Sequence, residues 1–388
     1  MNEKLIKYMK HYDLIIVTPE PFPYGLAATN RILSYASGIA KSKKVLYICY
    51  AGPASADSPN KEKRGNFKNI DFEYLGESYS DKKASMLEKV LLMMYRYIKL
   101  TYLLLFRYKL KSILLYSRAK FISDYLLILK KIKKFNLYRD VTEAAGYGNK
   151  ENHTIKLKQD AVYYDGMIVI STGISEFFDN IDEKKRFLLP VLVDMERFDI
   201  NRNASEKYFF CCSGANLERD GLLDCMAAFL QFHKSHPEYK FKIASSLRFE
   251  DPYHQKVKKL MDENPQCIEH MGALPSYTIP QLMKDATCLL LTPHKNYETR
   301  GFPTKLGEYL ASGTPTICSS IDDLTEVLEK DTVYMVTPNS PDEIAKKMEY
   351  ITRNPEEAIK IGNNGKNMME RLYTYQSYSK SLIEFLKL

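Results

Sequence analysis

The stretch that most constrains the fold is the apolar run Ala286 to Leu291 together with Thr292 to Pro315, because here a buried strand passes into a helix through a turn rich in Gly, Pro and charge. The run ATCLLL is apolar enough to be covered on both faces, as a strand inside a parallel sheet is. Pro303 suits the first helical position, and Gly313 and Pro315 stop the helix, so the spacing predicts a helix from Pro303 to Ser312 with its amino end facing the turn. Such an end carries unpaired N–H groups and roughly half a positive charge, which favours a phosphate. Gly301 would let the backbone approach a ligand closely. Thr304, Lys305 and Glu308 share one helical face, and Lys305 would add a cation beside the phosphate. At about 1.5 Å per residue, Glu308 lies some 6 to 8 Å from the helix start, a fitting separation between a diphosphate and a ribose diol. Taken alone, Lys305 and Glu308 are equally readable as an ordinary surface ion pair.

The rest of the chain alternates in the same way. Short apolar runs at Asp13–Thr18, Lys44–Tyr50, Ile70–Leu75, Lys134–Glu143 and Gly166–Ser171 predict the strands of a first sheet. Tyr208–Cys212, Phe241–Ala244, Cys267–Met271, Thr316–Ser319 and Val333–Val336 predict a second, with Ala286–Leu291 among them. Helical spacing at Ile32 to Ala40, Leu222–His233, Pro341–Thr352 and Pro355–Leu372 fills the connections. At 388 residues and 45% hydrophobic the chain can bury two cores, so the reading is α/β with two doubly wound parallel sheets. The polar residues 53–68 read as a loop. A dinucleotide fingerprint fails in the first turn, where only Gly25 is present, and Gly25 by itself is readable as a plain turn residue.

Charge is unevenly spread. The whole chain carries +8, yet between residues 81 and 140 fifteen Lys and Arg stand against Asp81, Glu88, Asp124 and Asp140, a local surplus of +11. Within that block, residues 86–118 predict one long helix whose Leu, Met, Tyr and Phe are interrupted by Lys89, Arg96, Lys99, Arg107, Lys109 and Lys111. It cannot span a bilayer; it is either an interfacial helix on an anionic membrane or a core helix with a solvated basic edge. Seven cysteines without a Cys-x-x-Cys spacing suggest a reducing compartment, and the amino terminus lacks a secretory h-region, so a cytoplasmic location is expected. The histidines and cysteines show no metal-ligand spacing, and no metal is expected. With Trp absent and no recognisable motif beside the charge, nucleic acid is not the expected partner.

The run Arg300, Gly301, Phe302, Pro303, then Glu308, Tyr309, Leu310, Ala311, Gly313 and Pro315 resembles the nucleotide-sugar signature of family 4 glycosyltransferases. Glu308 matches the second Glu of the family's pair, whereas the first is replaced by Arg300; GFPTKLGEYLA looks like a branch of the motif. The resemblance implies the GT-B fold, two Rossmann-like domains facing a cleft, with a retaining, metal-independent transfer from a nucleotide-diphosphate sugar and no other cofactor. It places the boundary near Asp199, where Val193, Asp194 and Phe198 match the family's linker, giving domains 1–199 and 200–372 and a final segment 373–388 crossing back to the first. Gly214, Arg219 and Gly221 match the diphosphate-gripping loop, Leu274 lies in the loop against the base, and Gly25 faces the donor phosphates. The resemblance therefore implies donor binding by Gly25, Gly214, Arg219, Leu274, Gly301, Phe302, Pro303, Thr304, Lys305 and Glu308. Arg219, Lys305, Glu298 and Arg300 would act at the reacting centre, Glu298 standing in for the missing carboxylate or Arg300 adding a third cation. Glu143 and His153 would lie near the acceptor, Glu143 being equally readable as a capping carboxylate. Joined to the basic block, this points to a lipid-linked glycan acceptor in surface polysaccharide assembly, with the protein peripheral at the inner membrane face. An inactive, membrane-associated nucleotide-binding scaffold of the same fold is the alternative.

Overall fold

Short runs of β-branched and aromatic residues set the strands, and helices return the chain between them. A computed structural model describes residues 9–51, 59–76, 85–117, 119–142, 151–203, 205–214, 216–294, 304–321, 324 and 327–388, with the backbone alone at 120 and 151–154. The chain divides into two units, Met1–Leu192 with Tyr375–Leu388, and Val193–Thr374.

In the first unit the order is β1 (Lys10–Thr18), α1 (Ala27–Ile39), β2 (Val45–Cys49), β3 (Arg64–Phe67), β4 (Ile70–Tyr74), α2 (Met86–Tyr102), β5 (Tyr108–Leu115), α3 (Lys120–Ile132), β6 (Asn136–Val141), α4 (Glu151–Asp160), β7 (Gly166–Val169), α5 (Thr172–Phe177) and β8 (Arg186–Leu188). These strands form one sheet in the order β3-β4-β2-β1-β5-β6-β7-β8. All pairs are parallel except β3 with β4, and Ile15 sits between Leu46 and Ile113 in register. Its core joins Leu14, Ile16, Tyr35, Tyr47 and Leu114 to Leu382 and Leu386 near the chain's carboxyl end.

Two expectations are corrected here. Arg64–Phe67 lies inside the stretch read as loop, yet it pairs antiparallel with β4 through a tight turn in which Lys68 and Asn69 have φ of 49° and 63°. That backbone is the one a two-residue hairpin turn requires. The strand escapes a sequence reading because it is an exposed edge and carries no apolar alternation. The single helix expected over residues 86–118 instead ends at Tyr102, unwinds through a π-turn at Leu103–Arg107 and becomes β5. Tyr108 and Leu110 are buried while Lys109 and Lys111 are exposed, a period of two that the flanking Leu-rich run conceals.

The second unit contains β9 (Tyr208–Ser213), α6 (Leu222–His233), β10 (Lys240–Ser245), α7 (Pro252–Glu263), β11 (Ile268–Gly272), α8 (Ile279–Asp285), β12 (Cys288–Leu291), α9 (Thr304–Ser312), β13 (Thr316–Ser319), β14 (Tyr334–Val336), α10 (Pro341–Arg353) and α11 (Pro355–Leu372). Its sheet is parallel throughout, in the order β11-β10-β9-β12-β13-β14. The first strand of the unit is thus central and the direction of winding reverses between β9 and β12, the arrangement that places ligands at the carboxyl ends of those two strands. Phe209, Phe229, Phe232 and Phe241 fill the core beneath. The last helix, α12 (Tyr375–Phe385), returns to the first unit and packs on α1, its Tyr375 ring lying against Gly38.

Candidate functional site

The carboxyl ends of β9 and β12 and the start of α9 meet in one place, and the backbone is specialised there. Gly221 caps α6 with φ of 70°, a left-handed conformation that L side chains adopt with strain. A Cβ on Gly221 would stand 1.9 Å from the Thr292 carbonyl oxygen, so the loop after β9 can approach the end of β12 only with glycine at this point. Thr292 secures the approach: its N–H donates to the Asp220 carbonyl at 3.3 Å. Its hydroxyl lies 3.4 Å from the Gly221 carbonyl and 3.1 Å from Cys225 Sγ.

Asp220 is the hinge of the local electrostatics. It is 3% exposed, and Ser213 Oγ donates to its Oδ2 at 2.6 Å. The Lys305 ammonium, from the first turn of α9, donates to the same oxygen, and Arg219 Nε donates to Oδ1 at 3.4 Å. Two cations that the sequence assigned to a diphosphate are therefore gathered on one buried carboxylate. On α9 itself, Leu306, Gly307, Tyr309, Leu310 and Ala311 are buried, while Lys305 and Glu308 stay half-buried on the remaining face. The Tyr309 hydroxyl accepts the Cys212 N–H at 2.7 Å and so pins the end of β9 to the same helix.

Glu308 is held differently. Arg197, in the 3₁₀ turn Met195–Phe198, donates from Nη1 to Glu308 Oε1 at 2.5 Å and from Nη2 to the Ser276 carbonyl at 3.2 Å. A Lys305–Glu308 ion pair, the plain reading left open by the sequence, is not the arrangement found: each has a different partner. Arg197 and Ser213 were not expected. The only sequence signal for Arg197 was its place between Asp194 and Phe198 in the linker match. Beside Thr292, His294 Nε2 lies 2.9 Å from Asp224 Oδ2.

Other expected positions are more scattered or fall elsewhere. Gly214 is exposed, and a Cβ there would meet nothing within 4 Å, so the loop leaves open space beside it. Leu274 is half-buried just after Gly272, whose φ is 69°. Gly25, in the first unit, is packed so that a Cβ would stand 2.0 Å from Thr29 Oγ1, which itself donates to the Pro21 carbonyl at 2.8 Å. Glu143, Glu298, Arg300, Gly301, Phe302 and Pro303 lie outside the described residues, as does the His153 side chain. Burial pushes the thiols of Cys212 and Cys225 up to about 12, so neither is a thiolate nucleophile at neutral pH. Among the described residues no group of three His, Cys, Asp or Glu is placed to hold a metal ion.

With this geometry in view, the likenesses to known proteins acquire a site. Residues 194–368 match the family model described as glycosyl transferases group 1. The chain is similar to sucrose-phosphate synthase from Thermosynechococcus elongatus, with a TM-score of 0.72 at 13% identity, covering 97% of this chain and 98% of that one. HepE of Anabaena, in complex with UDP and glucose, gives 0.71 at 14% identity over 96% and 99%. A glycosyltransferase from Rickettsia africae gives 0.69 at 14% over 97% and 98%. No curated protein matches the chain by sequence. The fold is GT-B, two parallel-sheet α/β domains. The glycosyl transferases group 1 match spans nearly all of the second unit, and it supports glycosyltransferase as the enzyme class.

Proposed function

We propose that the protein is a retaining glycosyltransferase that moves a sugar from a nucleotide-diphosphate sugar to a lipid-linked glycan, working at the inner face of a membrane in surface polysaccharide assembly. The observation that carries the donor half is the convergence of Arg219 and Lys305 on one buried carboxylate at the start of α9. In this reading the diphosphate oxygens take up those two cations together with the α9 amino end, and Glu308 accepts from the ribose hydroxyls. As the bond from the sugar to the diphosphate breaks, the leaving oxygen gains negative charge, and preorganised cations stabilise that charge more in the transition state than in the ground state. By their place in the motif, either Glu298 stands in for the missing carboxylate beside the sugar or Arg300 adds a third cation to the diphosphate. HepE is known in complex with UDP-glucose, which makes that donor the first to try.

The acceptor half rests on α2, whose polarity is inverted. Leu87, Leu91, Met94, Ile98 and Tyr102 follow helical spacing and are each more than half exposed, while Arg96 and Leu100 are buried on the opposite face. Tyr125 of α3 lies edge-on to Tyr97 of α2 with centroids 5.1 Å apart, and Phe121, Ile128 and Ile132 of α3 are also exposed. Exposed Lys89, Arg107, Lys131 and Lys134 accompany these apolar side chains, the combination an interfacial helix presents to anionic lipid. Among the described residues no helix is long and apolar enough to cross a membrane.

A panel of nucleotide sugars, assayed for hydrolysis and for transfer to lipid-linked acceptors, tests the reading. Turnover should vanish in Glu308→Ala and in Arg219→Ala; unchanged activity in both would refute the donor site. Nucleotide binding without turnover on any acceptor would favour the inactive scaffold instead. Flotation with anionic vesicles should be strong at low salt and weak at high salt, and salt-insensitive absence of binding would remove the membrane part.

A further inference from the structure

Asp220 places a negative charge where the donor reading requires a site for anions. It cannot swing away into solvent, being 3% exposed, with its carbonyl accepting from Thr292 N–H at 3.3 Å and its own N–H donating to the Asn216 carbonyl at 3.2 Å. Ser213 Oγ fixes the carboxylate itself at 2.6 Å. The Lys305 ammonium, at the end of four methylenes, is free to exchange Asp220 for a phosphate oxygen; Asp220 is not free to follow it.

Resting on the donor reading above, we propose that Asp220 is a positioning residue that aligns Lys305 and Arg219 for the diphosphate and, by its charge, limits how tightly the site holds the nucleoside diphosphate after the sugar has left. The leaving group is more negative than the donor, so two uncompensated cations would bind the product harder than the substrate. One fixed carboxylate between them offsets one of the two positive charges and offers Lys305 a resting partner when the product departs. Product release commonly limits turnover in enzymes that close on charged ligands, which makes this a lever on rate as well as on affinity.

The test is Asp220→Asn, which removes the charge while keeping the shape and the Ser213 contact. UDP, GDP and ADP are titrated against the unaltered protein and the variant by calorimetry, with donor KM and kcat measured on whichever nucleotide's sugar is used. The nucleotide that binds the unaltered protein should bind the variant about tenfold more tightly, while kcat falls about tenfold and donor KM does not rise. Asp220→Glu should recover part of kcat. In a Lys305→Met background the gain in nucleotide affinity should shrink by at least half, because the charge acts through Lys305. Weaker nucleotide binding by Asp220→Asn, an unchanged kcat, or a gain of full size without Lys305 would overturn the proposal. So would a lowered melting temperature with no gain in affinity, which marks a merely structural carboxylate. If none of the three nucleotides binds the unaltered protein, the donor reading itself falls and this inference with it; a failure confined to the variants overturns the inference alone.

Discussion

Arg197 Nη1 donates to Glu308 Oε1 at 2.5 Å, so the carboxylate assigned to the donor ribose is held by a guanidinium from the segment that opens the second unit. Arg197 is itself fixed by the Ser276 carbonyl, and the pair is about one-fifth exposed on each side. Glu308→Ala removes two acceptors for the ribose hydroxyls and leaves Arg197 without its carboxylate. Hydrogen bonds to charged groups contribute about 1.5–3 kcal/mol each, so losing two, about 3–6 kcal/mol together, gives an expected loss of at least about 150-fold in donor affinity. Arg197→Ala keeps the acceptors but not their orientation and should weaken donor binding by a smaller factor, about three- to tenfold. Calorimetric titration with the donor checks both; wild-type affinity in Glu308→Ala would sink the ribose assignment.

Gly221 makes a prediction about stability that does not depend on any ligand. Gly221→Ala meets a left-handed backbone at φ of 70°, a strain of about 1–2 kcal/mol, and places its methyl 1.9 Å from the Thr292 carbonyl oxygen. The contact cannot be relieved by turning a side chain, because the opposing atom is backbone. The second unit should lose about 3 kcal/mol or more, read from urea unfolding of the full chain. A loss below about 1 kcal/mol would mean that the loop after β9 does not sit against the end of β12.

Asp71 gives the first unit a defined acid sensitivity. Burial works against its charged form, but hydrogen bonds from Lys10 at 2.7 Å, Asn66 at 2.8 Å and Tyr12 at 2.7 Å outweigh it and hold the carboxyl below its ordinary value. A carboxyl whose folded value is depressed contributes stability above its unfolded value, about 3.9, and loses that contribution as pH falls through the folded one. Asp71→Asn should therefore melt below the unaltered protein at neutral pH, with the gap closing as the pH falls below the ordinary carboxylate range. Melting curves of the two proteins across that range decide it: a gap that stays constant into acid would place its origin elsewhere than in this charge.

How far the sequence could be read depended on where the determining interactions lie. The strands of the second sheet and helices α6 and α11 are local matters of apolar runs bounded by Gly and Pro, and Leu222–His233 and Pro355–Leu372 are found with the boundaries that pattern predicts. The β3 strand is hidden because it is an exposed, polar edge whose partner Ile70–Tyr74 lies across a tight turn, whereas the conversion of Tyr108–Leu115 from expected helix to strand depends on pairing with Lys10–Val17, far along the chain. The same division runs through the site. Lys305 and Glu308 were legible because they sit on one helix, whereas their partners Asp220 and Arg197 come from 85 and 111 residues away. A motif names the groups that meet a ligand more readily than the counter-charges that hold them, since the latter follow from tertiary packing.

The inverted face of α2 separates acceptor delivery from chemistry and can be altered without touching the core. Leu91 and Ile98 are 56% and 66% exposed on the face opposite buried Arg96 and Leu100, so Leu91→Glu with Ile98→Glu should leave folding intact. Each substitution replaces about 1.5–3 kcal/mol of apolar transfer into the lipid interface by a charge that anionic headgroups repel. Binding to anionic vesicles should fall at least tenfold per residue, and transfer to a lipid-embedded acceptor should fall with it. Hydrolysis of the nucleotide sugar in free solution should be unchanged, because neither residue lies in the unit that holds Arg219, Lys305 and Glu308. That split is the diagnostic result. A variant that loses donor hydrolysis and vesicle binding together would point to unfolding, which its melting temperature would reveal. One that floats with vesicles as well as the parent would show that the lipid contact is made by another surface.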